Sequence, residues 1–291
     1  MQKQKEKLKK EQLLWLGIAV VTGMAILLCG VYALMQGTEP PQLPDPEPQQ
    51  TTPPSYYDPA DFQLDEQGFM TCLTSEYSTG IDVSFYQGEI DWQQVRDAGV
   101  EFVFIRVGSR GTTEGKLYED EMAQQYYEAA KAAGLQVGAY IYSQAITPKE
   151  AEEEAWFVLQ QVANWELDLP VAYDWEWGGE GSRTDNMDPQ MLTQCCLSFC
   201  TIIQNAGLRP VLYFNAYQGL EQMELDKLTD IPFWLAMYDA PMEFPYRVDY
   251  WQYTAAGTVP GIEGPVDLNI FLPTIASPVG EVARHSRDGG V

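Results

Sequence analysis

The sequence predicts an α/β fold, and three observations predict it. From Thr79 onward, short runs rich in Val, Ile, Tyr and Phe alternate with helix-patterned segments, as in strand–helix units that repeat with one hand. Eight such strands can be counted, the first five followed by helices. Ahead of them lies a single long charge-free apolar segment. Eight parallel strands with crossover helices close into a barrel. The expectation is therefore an irregular TIM-like barrel of eight strands and about five helices, preceded by one transmembrane helix.

Residues 1–12 are rich in lysine, with Lys3, Lys5, Lys7, Lys9 and Lys10 against Glu6 and Glu11. Residues 13–35 carry no charge and are long enough as a helix to span a hydrocarbon core of about 30 Å. Lysines on the leading side place the N-terminus in the cytoplasm and the remainder outside. A cleavable signal peptide competes with this reading, but no small-residue cleavage pattern follows the run. A lipid-modified Cys29 would have the large Leu28 in front of it. The expectation is a single-pass membrane protein with an extracellular main domain. Residues 36–60 contain Pro40, Pro41, Pro44, Pro46, Pro48, Pro53, Pro54 and Pro59, which reads as an extended linker reaching up to roughly 75 Å. Residues 61–78 form a lead-in with no assignable pattern.

Strands are expected at 80–84, 102–107, 136–142, 171–175 and 211–214. Helices follow them at 92–98, 119–133, 148–162, 189–207 and 217–228. Thr147-Pro148 and Asp188-Pro189 supply an N-cap and a proline at the first helical position. Gly134 closes the second helix. Three further strands, 233–237, 250–253 and 266–270, are joined by loops alone. The barrel domain is set at 79–274, and residues 275–291 read as a disordered tail.

Composition narrows the chemistry. The net charge is −25, which excludes a nucleic-acid partner, because phosphate binding needs a basic face. The one histidine, His285, falls in the tail. An imidazole-based hydrolase or a zinc site in the folded domain is thus excluded. No metal and no cofactor is expected. Of the five cysteines, Cys195, Cys196 and Cys200 share a helix and read as buried thiols. A bridge from Cys72 to that helix stays open.

Chemistry must then run on carboxylates, and Val171-Ala-Tyr-Asp-Trp-Glu-Trp177 presents two of them. Side chains alternate in a strand, so Asp174 and Glu176 share a face and Trp175 takes the other. Two acids at a strand end, one kept protonated and one charged, suit cleavage of a glycosidic bond. Barrel active sites form at the C-terminal ends of the strands. Asp82 lies at the end of the first strand and Asp267 in the eighth, and these strands are neighbours in a closed barrel. Tyr140, Tyr142, Tyr213, Trp234, Tyr238 and Trp251 fall at or just after strands and could stack on sugar rings. Trp234 and Trp251 are the favoured pair, although alternation does not settle which way each faces. Arg106, in an apolar strand, needs a carboxylate partner, with Asp82 and Asp174 the candidates.

The motifs Gly80-Ile-Asp-Val-Ser-Phe-Tyr-Gln-Gly88, Ile90-Asp-Trp92, Gly138-Ala-Tyr140, Asp174-Trp-Glu176, Trp251-Gln-Tyr-Thr254 and Val266-Asp-Leu-Asn269 together resemble family 25 glycoside hydrolases, the bacterial and phage muramidases. The resemblance covers about 79–272 in the right order. It implies a barrel of eight strands and five helices and cleavage of the β-1,4 bond between N-acetylmuramic acid and N-acetylglucosamine, with peptidoglycan glycan strands as partner. It also implies Glu176 as general acid/base and Asp174 as the group that orients the substrate's own acetamido nucleophile. A direct carboxylate nucleophile remains an alternative. Asp82 and Asp267 would line the site and help keep Glu176 protonated, which makes Glu176 the group expected to be perturbed. Many members follow Gly-x-Tyr with His-Phe, whereas this chain has Ile141-Tyr142. Two other readings stand beside the muramidase: a non-catalytic glycan-binding barrel, and a hydrolase of another N-acetylhexosamine polymer such as chitin.

Overall fold

The computed structural model describes residues 55–273. The expectations for 1–12, 13–35, 275–291 and most of the 36–60 linker lie outside the described residues. Among the described residues no helix is long and apolar enough to cross a membrane.

The unassigned lead-in forms a small antiparallel hairpin, β1 (Phe62–Leu64) with β2 (Met70–Cys72). Strands of three residues carry too short a pattern to read from sequence. Aromatic groups dock the segment: Phe62 meets Trp251 edge-on at 5.3 Å, and the Tyr57 hydroxyl donates to Val248 O at 2.9 Å.

Beyond it come β3 (Ser78–Val83), β4 (Phe102–Arg110), β5 (Leu117–Glu119), β6 (Gln136–Ser143), β7 (Val171–Trp175), β8 (Pro210–Asn215), β9 (Phe233–Ala236), β10 (Tyr250–Gly257) and β11 (Val266–Phe271). Eight of these make the barrel, which closes because β3 pairs with both β4 and β11. The short β5 lies outside the ring, antiparallel to the end of β4.

The expectation of eight parallel strands is corrected at the last one. Successive pairs from β3 to β10 are parallel, but β11 is antiparallel to both neighbours. The loop over 258–265 is too short for a crossover, which takes a dozen or more residues. The helix-free loop over 237–249 is long enough, and β9 and β10 stay parallel.

Four α-helices cover the ring: α1 (Trp92–Asp97), α2 (Ala123–Ala132), α3 (Pro148–Gln161) and α4 (Pro189–Asn205). Asp91, Thr147 and Asp188 cap α1, α3 and α4 through backbone N–H groups. The second helix starts later than expected, because Asp120 makes a turn, accepting from Met122 N at 3.1 Å. The fifth expected helix, 217–228, is only a π turn at Gln218–Gln222 and a 3-10 turn at Leu225–Lys227.

The barrel interior is aromatic. Phe102, Phe104, Tyr140, Tyr213, Trp234 and Tyr250 fill it, with Phe104 stacked on Trp234 at 4.4 Å. Two motif glycines make room for these rings. A Cβ at Gly80 would lie 2.2 Å from Phe102, and one at Gly138 2.5 Å from Phe104. The alternate side chains, among them Ile81, Val103, Ile105 and Val137, pack in the layer between strands and helices. Cys72, Cys195, Cys196 and Cys200 are buried free thiols, so the bridge left open for Cys72 does not form.

Candidate active site

Barrel closure brings the four acids to one mouth. Asp82 is near the C-terminal end of β3, Asp174 is near that of β7, and Glu176 follows one residue beyond β7. Asp267 is near the N-terminal end of β11 and reaches the same mouth because that strand is reversed. It is the register partner of Asp82.

A cavity of about 250 Å³ opens there, lined by Asp82, Ser84, Tyr86, Gln87, Arg106, Tyr140, Tyr142, Asp174, Glu176, Tyr213, Trp234, Tyr238, Gln252 and Asp267. Trp251 does not line it. Alternation along β10 turns Tyr250 and Gln252 inward and Trp251 outward. Trp251 is buried in the outer layer, its Nε1 donating to Met237 O at 2.9 Å. Its expected place as a sugar contact is therefore corrected.

Arg106 also differs from expectation. Its partner is neither Asp82 nor Asp174 but Asp120, whose Oδ2 accepts from Nε at 2.9 Å and forms an ion pair with Nη2 at 2.9 Å. The guanidinium lies over the rings of Phe85 and Tyr86, 5.1 and 5.3 Å from their centroids, an arrangement with cation–π attraction. The turn before α2 that supplies Asp120 could not be placed against β4 from sequence spacing alone.

The carboxylates have unlike surroundings. Asp82 Oδ2 accepts from Gln252 Nε2 at 2.7 Å and from Asn269 Nδ2 at 2.8 Å. Burial nevertheless pushes Asp82 well above the carboxylate range, with Asp267 adding to the effect. Asp174 is pushed well above that range too, by burial and then by the charges of Glu176 and Asp82. Its Oδ1 is buried and accepts no hydrogen bond. Burial raises Glu176, with Asp267 second, and burial brings Asp267 up to about 6. Perturbation was expected chiefly at Glu176, but all four acids share it. Like charges held together out of water each resist ionisation.

Sequence reasoning missed the polar groups that organise this mouth. Gln252 is a hub: its Oε1 accepts from Tyr213 Oη at 2.8 Å and also from Tyr238 Oη, while its amide holds Asp82. Asn269 accepts from Trp234 Nε1 at 2.8 Å and donates to Asp82. Both belong to quoted motifs; alternation from Asp267 was the signal that could have found Asn269, whereas nothing in Tyr250-Trp-Gln-Tyr253 told that Gln252 faces inward. Ser84, Tyr86 and Gln87 lie on the turn after β3, where no alternation applies. Among the described residues there is no group of three or more His, Cys, Asp or Glu able to hold a metal ion.

Such a mouth makes its acids harder to ionise than free carboxylates, the condition a proton donor needs. The model of the glycosyl hydrolases family 25 matches residues 81–262. An autolytic lysozyme of Clostridium acetobutylicum is 30% identical over 197 residues, covering 66% of this chain and 55% of that one. Lysozyme M1 of Streptomyces globisporus is 29% identical over 206 residues, covering 66% and 67%. The crystal structure of a bacterial lysozyme from Streptomyces coelicolor superposes with a TM-score of 0.58 at 27% identity, over 71% of this chain and 95% of that one. The chain thus spans little more than half the length of the clostridial relative.

Proposed function

The chain belongs to glycosyl hydrolase family 25, and on that premise we propose that it is a peptidoglycan muramidase with Glu176 as its general acid/base. One observation carries the reading. A fully buried carboxylate oxygen without a partner, Asp174 Oδ1, stands two residues before a carboxyl whose proton is held by burial and by Asp267. The lysozyme relatives support the substrate class.

In this reading protonated Glu176 gives its proton to the glycosidic oxygen as the bond to the anomeric carbon breaks. Asp174 Oδ1 accepts the N–H of the substrate's acetamido group, whose carbonyl oxygen attacks the anomeric carbon. That donor stabilises the charged form of Asp174 and offsets the burial that opposes it. Glu176, now a carboxylate, takes a proton from the water that completes hydrolysis with retention. The substrate supplies the nucleophile, a known exception to the two-carboxylate pattern. Tyr140, Tyr142, Tyr213, Trp234 and Tyr238 shape the walls against the sugar, and the paired Arg106–Asp120 brings no free charge into the mouth.

The reading extends to location. Basic residues 1–12 ahead of the charge-free 13–35 support a single-pass anchor with a cytoplasmic N-terminus. The proline-rich 36–60 serves as spacer and the barrel faces the wall of a bacterial cell. Protease added outside intact cells should remove the barrel and spare the N-terminus. Protection of the barrel would reverse the orientation.

The activity test digests purified peptidoglycan, reduces the products with borohydride and identifies the new ends by mass spectrometry. Reduced muramic acid ends, absent with Glu176→Gln, are expected. Reduced glucosamine ends would mean a glucosaminidase. No new ends, with the wall material still bound, would mean a binding barrel.

A further inference from the structure

Glu176 stands where strand pairing ends. The last ladder pair on its side is Ser143 with Trp175, and the Glu176 N–H reaches Ser143 O only at 3.4 Å. The backbone that aims its carboxyl needs another anchor. The Glu176 carbonyl receives one from a side chain: Gln144 Nε2 donates to it at 2.6 Å.

Gln144 directly follows β6 and is fully buried. Its Nε2 also lies 3.3 Å from the hydroxyl of Tyr142, a wall residue of the cavity. Its Oε1 accepts from Thr184 Oγ1 at 3.3 Å, and Thr184 in turn accepts from Gly178 N at 2.8 Å. The main-chain oxygen of Gln144 accepts from Arg183 Nη1 at 3.0 Å, and Arg183 Nη2 is paired with Glu150 on α3 at 2.5 Å. The loop after Glu176 presses directly on the amide, for a Cβ at Gly178 would lie 2.5 Å from Gln144 Oε1. One side chain thus ties the end of β6, the carbonyl of Glu176 and the loop beyond it.

We propose that Gln144 is a positioning residue for Glu176, fixing the peptide that follows it and with it the direction of its carboxyl. The inference rests on the reading of Glu176 as proton donor. A carbonyl held by a buried amide is not free to rotate, and a displacement of about 1 Å at a reacting group can cost on the order of 100-fold in rate.

The test uses the full chain. Gln144→Met keeps the volume and removes the donor. The expected result is a fall in kcat of about 10- to 100-fold with KM nearly unchanged, and a displaced basic limb of the kcat–pH profile. Carbon-13 NMR of the Glu176 carboxyl should show the same displacement of its titration without any turnover. Thr184→Val, which leaves the Gln144 donors intact and frees only the far end of the amide, should move both readouts the same way by less. It also serves if Gln144→Met does not fold. Wild-type kcat and an unmoved titration in a folded variant would overturn the proposal, even with a lowered thermal midpoint. If wild-type protein releases no reducing ends, the muramidase reading fails by itself, and the NMR titration still decides whether Gln144 sets Glu176.

Discussion

Two buried acidic sites lie on opposite faces of the same strands. On the helix side, Glu154 of α3 is fully buried, and both of its oxygens are used. Arg110 Nε donates to Oε1 and Ser143 Oγ donates to Oε2, each at 2.6 Å. The other Arg110 donors reach Gly115 O and Glu150 O, both at 2.8 Å. On the cavity side, Asp174 is also buried, and among the described residues none pairs with its Oδ1. It faces Glu176, Asp82 and Asp267, with its cation Arg106 committed elsewhere. Buried polar groups are nearly always satisfied. In the proposed reading the substrate's acetamido N–H pairs with the oxygen at the mouth, while the complete network around Glu154 holds the fold.

The largest effect that would break this contrast is kinetic. Glu176→Gln should lower kcat by about 10²- to 10⁴-fold, read from reducing ends released per minute. Asp174→Asn should lower kcat by about 10²- to 10³-fold and, at alkaline pH where Asp174 would be ionised, raise the thermal midpoint, because it removes a repulsive buried charge. A drop in that midpoint would show the carboxylate to be structural.

Arg110→Leu should do the reverse. It leaves Glu154 buried without its cation, at a cost of about 3–5 kcal/mol measured by urea unfolding. Turnover per folded molecule should persist.

pH sharpens the comparison. Burial raises Glu154 from its ordinary 4.5 to about 7 despite Arg110, and Asp267 from 3.8 to about 6. The folded state then binds these protons more tightly than the unfolded one. Stability should fall as pH rises from about 4 to about 7, read as a falling thermal midpoint. Asp168 and Glu150, both lowered with Lys131 and Arg183 among their hydrogen-bond partners, oppose this below the window and place the maximum in mild acid. Asp267→Asn should flatten part of the slope. It should also move the basic limb of activity to lower pH, since Asp267 helps Glu176 keep its proton.

The smallest effects separate two tryptophans. Trp251→Phe should leave kcat and KM unchanged, because its ring lies in the outer layer against Phe62. Trp234→Phe, in the cavity wall and bonded to Asn269, should raise KM.

Much of this was legible beforehand. Barrel closure, which makes the first and last strands adjacent, put Asp82 and Asp267 on neighbouring strands, but their meeting at one mouth depends on the reversal of β11. The pairing of Asp174 with Glu176 followed from alternation. The partner of Arg106 was not legible, since Asp120 comes from a turn whose position depends on how α2 packs. The direction of Trp251 was missed because an alternating aromatic run, Tyr250-Trp-Gln-Tyr253, looks much the same whichever face is inward.

The sequence by itself determined the order of the eight barrel strands and the first four helices, the carboxylate chemistry, and the end of the barrel where Asp82, Asp174 and Glu176 gather. These depend on local periodicity and on the absence of histidine from the barrel. Only the tertiary structure decided that β11 runs backwards and that Gln252 and Asn269 hold Asp82. It alone showed that Asp174 keeps an oxygen free and that Gln144 grips the backbone of Glu176. Those facts are distances between residues far apart in the chain, or counts of hydrogen bonds made after burial. They arise when water has been excluded and each polar group must find its partner or go without.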